Sequence, residues 1–314
     1  MALHVLHGWK DLAAEQRGAS LALGNFDGVH RGHWQVIANA CKAAAALQVP
    51  LAVISFEPHT RKYFHPDEPH FRLTNADQLG RLLEGLGVDR LHVLPFDAEM
   101  AQFSDAEFAR RVLAEGLGAR HVAAGFDITF GAGRSGDPES LKRFGEQLGF
   151  GVSIASAVTG PNGLKFSSSG VRQALREGRP EDAAAILGRP FTVEGVVVHG
   201  DQLGRTIGFP TANIAMEDYV RPAYGIYAAR TRLADGREAP GVAYLGKRPT
   251  IVDARDERLE VHLFDFDEDL YGQTLEVELV RFIRGDQKFE SLEAMIAQMD
   301  KDAAQARAVL TPDI

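Results

Sequence analysis

Cysteine occurs once in 314 residues, at Cys41. A single thiol cannot close an internal disulfide or supply a thiolate metal cluster, and its helical spacing with Trp34, Ile37 and Ala44 predicts that it packs. No stretch approaches the roughly 18 uncharged apolar residues of a membrane span, and the opening MALHVLHGWKDLAAEQRG has no apolar core of signal-peptide length. A cytoplasmic location is the expectation. Positive charge is in deficit: 34 Lys and Arg face 43 Asp and Glu, a formal net charge of −9. That balance excludes a protein that coats nucleic acid, which needs clustered cations to displace counterions from phosphates. No G-x-x-x-x-G-K-[ST] string occurs, so the P-loop is excluded too. Internal repeats are absent, and the alanines at 43–46 are the only low-complexity tract.

What is present is a chain with 45% hydrophobic and 25% charged residues, globular in composition and long enough for two domains. Between 20 and 158, short apolar runs (21–23, 51–56, 91–96, 121–124 and 152–158) alternate with amphipathic stretches of helical period. This rhythm predicts an α/β domain with a parallel sheet covered by helices. Ser104 with Glu107 forms a capping box, and Asp137-Pro138 reads as N-cap and first helical residue. After Gly188 the pattern turns to strands at 191–198, 224–233, 238–245, 259–266 and 274–283, with Asp235-Gly236 as a hairpin turn. Ser291 caps a last helix whose apolar stripe is Leu292, Met295, Ile296 and Met299. A small β-barrel or sandwich closed by one helix is expected. Gly178, Pro180, Gly188 and Pro190 punctuate the join.

GNFDGVHRGH, residues 24–33, stands between the first of these strands and its helix, at the carboxyl end of the strand, where α/β folds bind ligands. Gly24, Gly28 and Gly32 let amides approach an anion, the helix N-terminus adds partial positive charge, and His30 and His33 can reach one phosphate together. A glycine-rich turn with two surface histidines is the competing reading, and two histidines fall short of a zinc ligand set. GAGRSG at 131–136 fits G-x-G-x-x-G but lies outside a first βα unit and lacks the acidic residue about 20 positions on, so a dinucleotide site is rejected. In HGDQLGRTIGFPTANI, residues 199–214, the glycines 200, 204 and 208 and Arg205 suit a phosphate cradle. Thr211 and Asn213 put two neutral oxygens on one side of an extended segment, fitting Mg2+ already carried by ATP phosphates. In RLEVHLFDFDEDLYG, Leu259, Val261 and Leu263 share one strand face and Glu260, His262 and Phe264 the other. By spacing alone Glu260 is a solvated strand residue.

These strings resemble a known family. GNFDGVHRGH is similar to the histidine signature of nucleotidylyltransferases, in the variant with Phe26-Asp27-Gly28 seen in bacterial FAD synthetases. FSSSGVR at 166–172 resembles their serine-rich motif followed by arginine, with Ser169 where threonine is usual, and SFEPHT at 55–60 resembles their FEPHP. HGDQLGRTIGFPTANI is similar to the PTAN segment of riboflavin kinases, and GVAYLGKRPTI at 241–251 resembles the same family with Tyr244 where asparagine is common. The resemblance runs over nearly the whole chain. It implies a doubly wound parallel-sheet FMN adenylyltransferase domain over 1–185, then a riboflavin kinase domain over 186–314, an antiparallel β-barrel with a C-terminal helix.

In the first domain the resemblance implies His30, His33 and Arg172 as the groups that neutralise and align charge. Gly24, Phe26, Asp27, Gly28, Ser167, Ser168 and Ser169 become phosphate contacts, and Asp127, Phe130 and Gly131 lie beside nucleotide and flavin. In the second it implies Glu260 as general base, Thr211 and Asn213 as Mg2+ ligands, and Gly200, Gly204, Arg205 and Gly208 around the ATP phosphates. Arg284 and Phe289 become the flap over the flavin ring. The expected partners are small molecules, namely Mg2+ with ATP, riboflavin, FMN and FAD; a homo-oligomer is admitted, nucleic acid and membrane are not. A flavin store or sensor keeping the fold, and a nucleotidylyltransferase for another phosphorylated substrate, are the rival readings. The attached kinase-like segment argues against the second, and intact His30, His33, Thr211, Asn213 and Glu260 argue against the first.

Overall fold

Strands buried on both faces are apolar without alternation, as in Leu21–Leu23 and Leu51–Ile54. The computed structural model describes residues 2–68, 70–160, 165–199, 208–247 and 257–311. In it β1 (His4–His7), β2 (Ser20–Leu23), β3 (Leu51–Glu57), β4 (Arg90–Pro95), β5 (His121–Gly125) and β6 (Gly151–Ala155) form one sheet in the order β1-β4-β3-β2-β5-β6. Every pair is parallel. The edge strand β1 was not expected, because HVLH is short and mostly exposed and carries no buried-strand pattern. The helices Arg31–Leu47 and Ala76–Gly85 pack on one face of the sheet through Val36, Ile37, Ala40, Ala44 and Leu83. The helical stretches Phe108–Gly116 and Pro138–Leu148 cover the other through Val112, Leu113, Leu141 and Phe144.

Both caps predicted in the parallel-sheet unit form. The Ser104 amide donates to Glu107 Oε2 at 3.0 Å while Ser104 Oγ accepts from the Glu107 amide at 3.2 Å. Asp137 Oδ1 accepts from the Ser140 amide at 2.8 Å, with Pro138 opening the helix. Beyond the first box the turn widens to π geometry, with the Leu117 amide bonded five residues back to the Val112 carbonyl at 2.8 Å. Cys41 corrects an expectation: it is exposed. Val36 and Ile37 both turn inward, which centres the buried face on 36, 37, 40 and 44 and rotates position 41 out.

In the rest of the chain β7 (Phe191–Val198), β8 (Ala212–Ala215), β9 (Gly225–Arg232), β10 (Glu238–Lys247), β11 (Glu257–Leu263) and β12 (Thr274–Gly285) close an antiparallel barrel in the order β10-β11-β8-β7-β12-β9. Phe191, Val193, Ile214, Tyr227, Leu245, Leu259 and Val277 are fully buried in this unit. The β9–β10 hairpin turns at Asp235-Gly236, and Gly236 takes a φ of 87°. Ser291 Oγ accepts from the Ala294 amide at 3.2 Å and opens the helix Leu292–Leu310. The predicted stripe of that helix is not its main docking face. Leu292 is exposed, and Ala303, Ala306, Val309 and Leu310 pack against Ala228, Val242, Phe264 and Ile283. Small side chains allow the close approach, whereas sequence reading weighted the bulky ones.

Two compact units result: Met1–Glu68 with Ala76–Ser167, and Pro69–Asn75 with Ser168–Ile314. The short piece taken from the first stretch is held by main-chain bonds, the Arg72 amide to the Asp218 carbonyl at 2.9 Å and the Val220 amide to the Arg72 carbonyl at 2.8 Å.

Candidate active sites

In the parallel sheet the strand order reverses between β2 and β5, so their carboxyl ends mark the topological switch point. Residues 24–30 leave β2 there, and residues 126–136 leave β5 beside them. The first loop is strained: Phe26 and the β-branched Val29 take φ values of 50° and 41°. Full burial of both side chains, a Val29 amide to Phe26 carbonyl bond of 3.0 Å and a Trp34 Nε1 to Val29 carbonyl bond of 2.9 Å hold it in place. His30 is the N-cap of the Arg31–Leu47 helix, its Nδ1 accepting from the His33 amide at 3.2 Å. With Nδ1 accepting, the neutral ring carries its proton on Nε2. The two imidazoles stack at 3.6 Å with 20° between their planes, and Phe26 lies 5.0 Å from the His33 ring. Asp27 is buried in the same loop. Gly32 has a packing reason, since a Cβ there would stand 2.8 Å from the Phe166 carbonyl.

In the neighbouring loop, Phe130 is buried against Phe108 and bridged to Gly136. A Cβ on Gly131 would collide with the Asp105 amide at 2.4 Å, so close packing on the Ser104 turn demands glycine there. Asp127 is exposed and pairs with Lys165 at 2.8 Å. Thr60 Oγ1 accepts from Asn25 Nδ2 at 3.1 Å, joining the SFEPHT segment to the first loop. Ser167 ends the first unit, while Ser168, Ser169 and Arg172 belong to the second. Arg172 is buried one turn into the Ser168–Arg176 helix, its Nε donating to the Phe71 carbonyl at 2.7 Å and its guanidinium 5.6 Å from the Phe71 ring.

In the barrel, register sets the second arrangement. Glu260 on β11 faces Asn213 on β8 and Tyr244 on β10. Alternation then puts Leu259, Val261 and Leu263 inside and Glu260 and His262 on the opposite face, half-buried. Asn213 is only 5% exposed. The start of β11 is fixed by Glu257, which pairs with Arg221 and accepts from the Tyr224 hydroxyl. Burial and the Glu257 carboxylate push that hydroxyl up to about 12. Tyr244 donates to Asp286 Oδ1 at 3.3 Å, and burial, with the Asp286 charge, pushes its hydroxyl up to about 12.

Arg284 forms a two-pronged ion pair with Asp302 on the C-terminal helix, at 2.7 Å and 3.0 Å, and lies 5.7 Å from the Phe289 ring. Asp302 and Asp286 escaped sequence reading, since nothing local marks a carboxylate as an arginine or tyrosine partner. Gly208, with φ 86°, lies just before the PTAN segment, while Gly200, Gly204 and Arg205 lie outside the described residues. Among the described residues no three His, Cys, Asp or Glu side chains cluster as metal ligands. Thr211 and Asn213 offer two neutral side-chain oxygens, a set too small to cage a divalent cation and suited to one brought in on a nucleotide.

Fold and sites together define a class: an α/β unit with a histidine loop at its switch point, joined to a closed barrel with a carboxylate facing an amide. Residues 12–170 match the FAD synthetase family and residues 187–310 the riboflavin kinase family. The bifunctional riboflavin kinase/FMN adenylyltransferase of Pseudomonas fluorescens is 40% identical over 99% of both chains. That of Escherichia coli K12 is 40% identical over 94% of this chain and 93% of its own, and that of Bacillus subtilis 35% identical over 97% and 96%. The chain belongs to the bifunctional riboflavin kinase/FMN adenylyltransferase family. A crystal structure from Streptococcus pneumoniae, of a protein called a macrolide-efflux protein, superposes with a TM-score of 0.85 at 31% identity, over 98% of this chain and 99% of that one. Among the described residues here no helix is long and apolar enough to cross a membrane.

Proposed function

We propose that the barrel unit phosphorylates riboflavin to FMN with Mg-ATP, and that the parallel-sheet unit joins FMN to the adenylyl group of a second ATP, releasing pyrophosphate and FAD. The observation that carries the reading is the pairing of Glu260 with Asn213 across β11 and β8. The ribityl hydroxyl is a poor nucleophile at neutral pH, and Glu260 is the carboxylate that takes its proton as the hydroxyl attacks the γ-phosphate. Thr211 and Asn213 supply neutral oxygens to Mg2+ on the ATP phosphates, and the ion, when bound, neutralises phosphate charge. Gly200, Gly204, Arg205 and Gly208 line the phosphates, and Arg284 and Phe289 cover the flavin. The ion pair of Arg284 with Asp302 supports that role by fixing the guanidinium before a ligand arrives.

The adenylyl transfer needs no base, because the FMN phosphate is already an anion that can attack the α-phosphate. His30 and His33 stabilise the charge that builds there, and their mutual stacking supports that role by holding both rings in place at the helix entrance. Gly24, Phe26, Asp27, Gly28 and the serines 167–169 hold the triphosphate, with Arg172 as the fixed cation. Asp127 and Phe130 lie beside the flavin. The lack of an internal disulfide is in keeping with a cytoplasmic setting.

Product analysis tests this. Riboflavin with Mg-ATP is expected to give one ADP for each FMN and FAD formed together, and FMN with Mg-ATP to give FAD and pyrophosphate in equal amounts. Adenylylation of another phosphorylated substrate in preference to FMN would overturn the second half.

A further inference from the structure

The antiparallel pairing of β8 with β11 ends at Ala212 opposite Val261. Two residues earlier stands Pro210, which has no amide hydrogen to extend a ladder. Its carbonyl instead lies 2.9 Å from Nδ1 of His262, on the same strand as Glu260. A carbonyl only accepts, so His262 Nδ1 carries the proton and donates. Thr211 is thus bracketed, with a backbone ladder on one side and a side-chain bond on the other. The His262 ring also lies 5.1 Å from Phe209 and 6.0 Å from Phe264, which limits its rotation.

We infer that His262 is a positioning residue for the kinase reaction: its Nδ1–H bond to the Pro210 carbonyl continues the β8–β11 pairing past the proline and fixes the Thr211 hydroxyl for Mg-ATP. The inference rests on the proposed role of Thr211 and Asn213. Asn213 needs no such help, because the ladder itself holds it opposite Glu260. A residue that only packs and a residue that donates predict opposite results for two substitutions. Asparagine places an amide where Nδ1 stands but loses the ring. Phenylalanine keeps the ring between Phe209 and Phe264 but loses the donor.

The test uses the full chain with His262→Asn and His262→Phe. Amide hydrogen exchange of the peptide spanning 208–215 is followed without ligand, and the Mg-ATP and riboflavin dependence of FMN formation is measured separately. His262→Phe is expected to speed exchange in that peptide about five- to tenfold and to raise the KM for Mg-ATP by a similar factor, the usual worth of one hydrogen bond. The KM for riboflavin should move far less. His262→Asn should recover most of both losses. Normal behaviour of His262→Phe, or equal loss in the two variants, overturns the inference. If the unsubstituted chain fails to phosphorylate riboflavin, the kinase reading falls, and the exchange experiment still decides whether His262 holds the segment.

Discussion

His92 sits on β4 with its ring enclosed, 1% exposed, and its Nδ1 finds no hydrogen-bond partner among the described residues. Burial, aided by the Arg90 charge, pushes the imidazole down to about 4 from its ordinary 6.5. The sign follows from linkage. The unfolded chain binds this proton more readily than the fold does, so the stabilising effect of neutrality is complete above pH 6.5 and is lost as pH falls toward 4. A drop of about 3 kcal/mol across that window is expected from this group, since each pH unit between the two values is worth about 1.4 kcal/mol. His121, lowered by burial as well, adds in the same direction. Urea unfolding between pH 7.5 and 4.5 measures it, and His92→Leu should flatten much of the slope. An unchanged slope in His92→Leu would assign the acid sensitivity to other groups.

At the level of single elements, the C-terminal helix shows how a charge can dock as firmly as an apolar stripe. Asp302 is 3% exposed and receives Arg284 from β12 and Gln298 from its own helix, at 2.7 Å and 2.8 Å. Removing one partner of a buried pair leaves the other uncompensated. Asp302→Ala is expected to cost about 3 kcal/mol, read as a lower urea midpoint, and to weaken flavin binding in the barrel by releasing Arg284. Wild-type stability in Asp302→Ala would mean that solvent already screens the pair. The core strands were legible because burial on two faces leaves an apolar run, and the caps because Ser104, Asp137 and Ser291 act on residues three positions away. The strands β1 and β8 were not, being four residues each and held by pairing with distant partners. The same limit hid Asp302 as a docking residue and Cys41 as an exposed one: the pattern gives a helix its period, while packing decides which side faces in.

For the whole molecule, the division into units follows contacts rather than chain order. Residues 69–75 join the second unit through the bonds of Arg72 with Asp218 and Val220 and through Arg172 on the Phe71 carbonyl. Main-chain pairing of this kind leaves no mark in composition. The two motif groups, by contrast, were legible as strings, and the register then brought Glu260 opposite Asn213 without any local sign that 213 and 260 meet. The central claim is that two separate sites in one chain carry the two steps, with Glu260 serving only the first. The most direct test is the flavin product profile of Glu260→Gln, fed riboflavin in one reaction and FMN in another, each with Mg-ATP. The account predicts riboflavin phosphorylation slowed at least ~10²-fold, the usual contribution of a positioned base, with FMN converted to FAD at the unsubstituted rate. Unimpaired riboflavin phosphorylation, or an equal loss of both conversions, would contradict it.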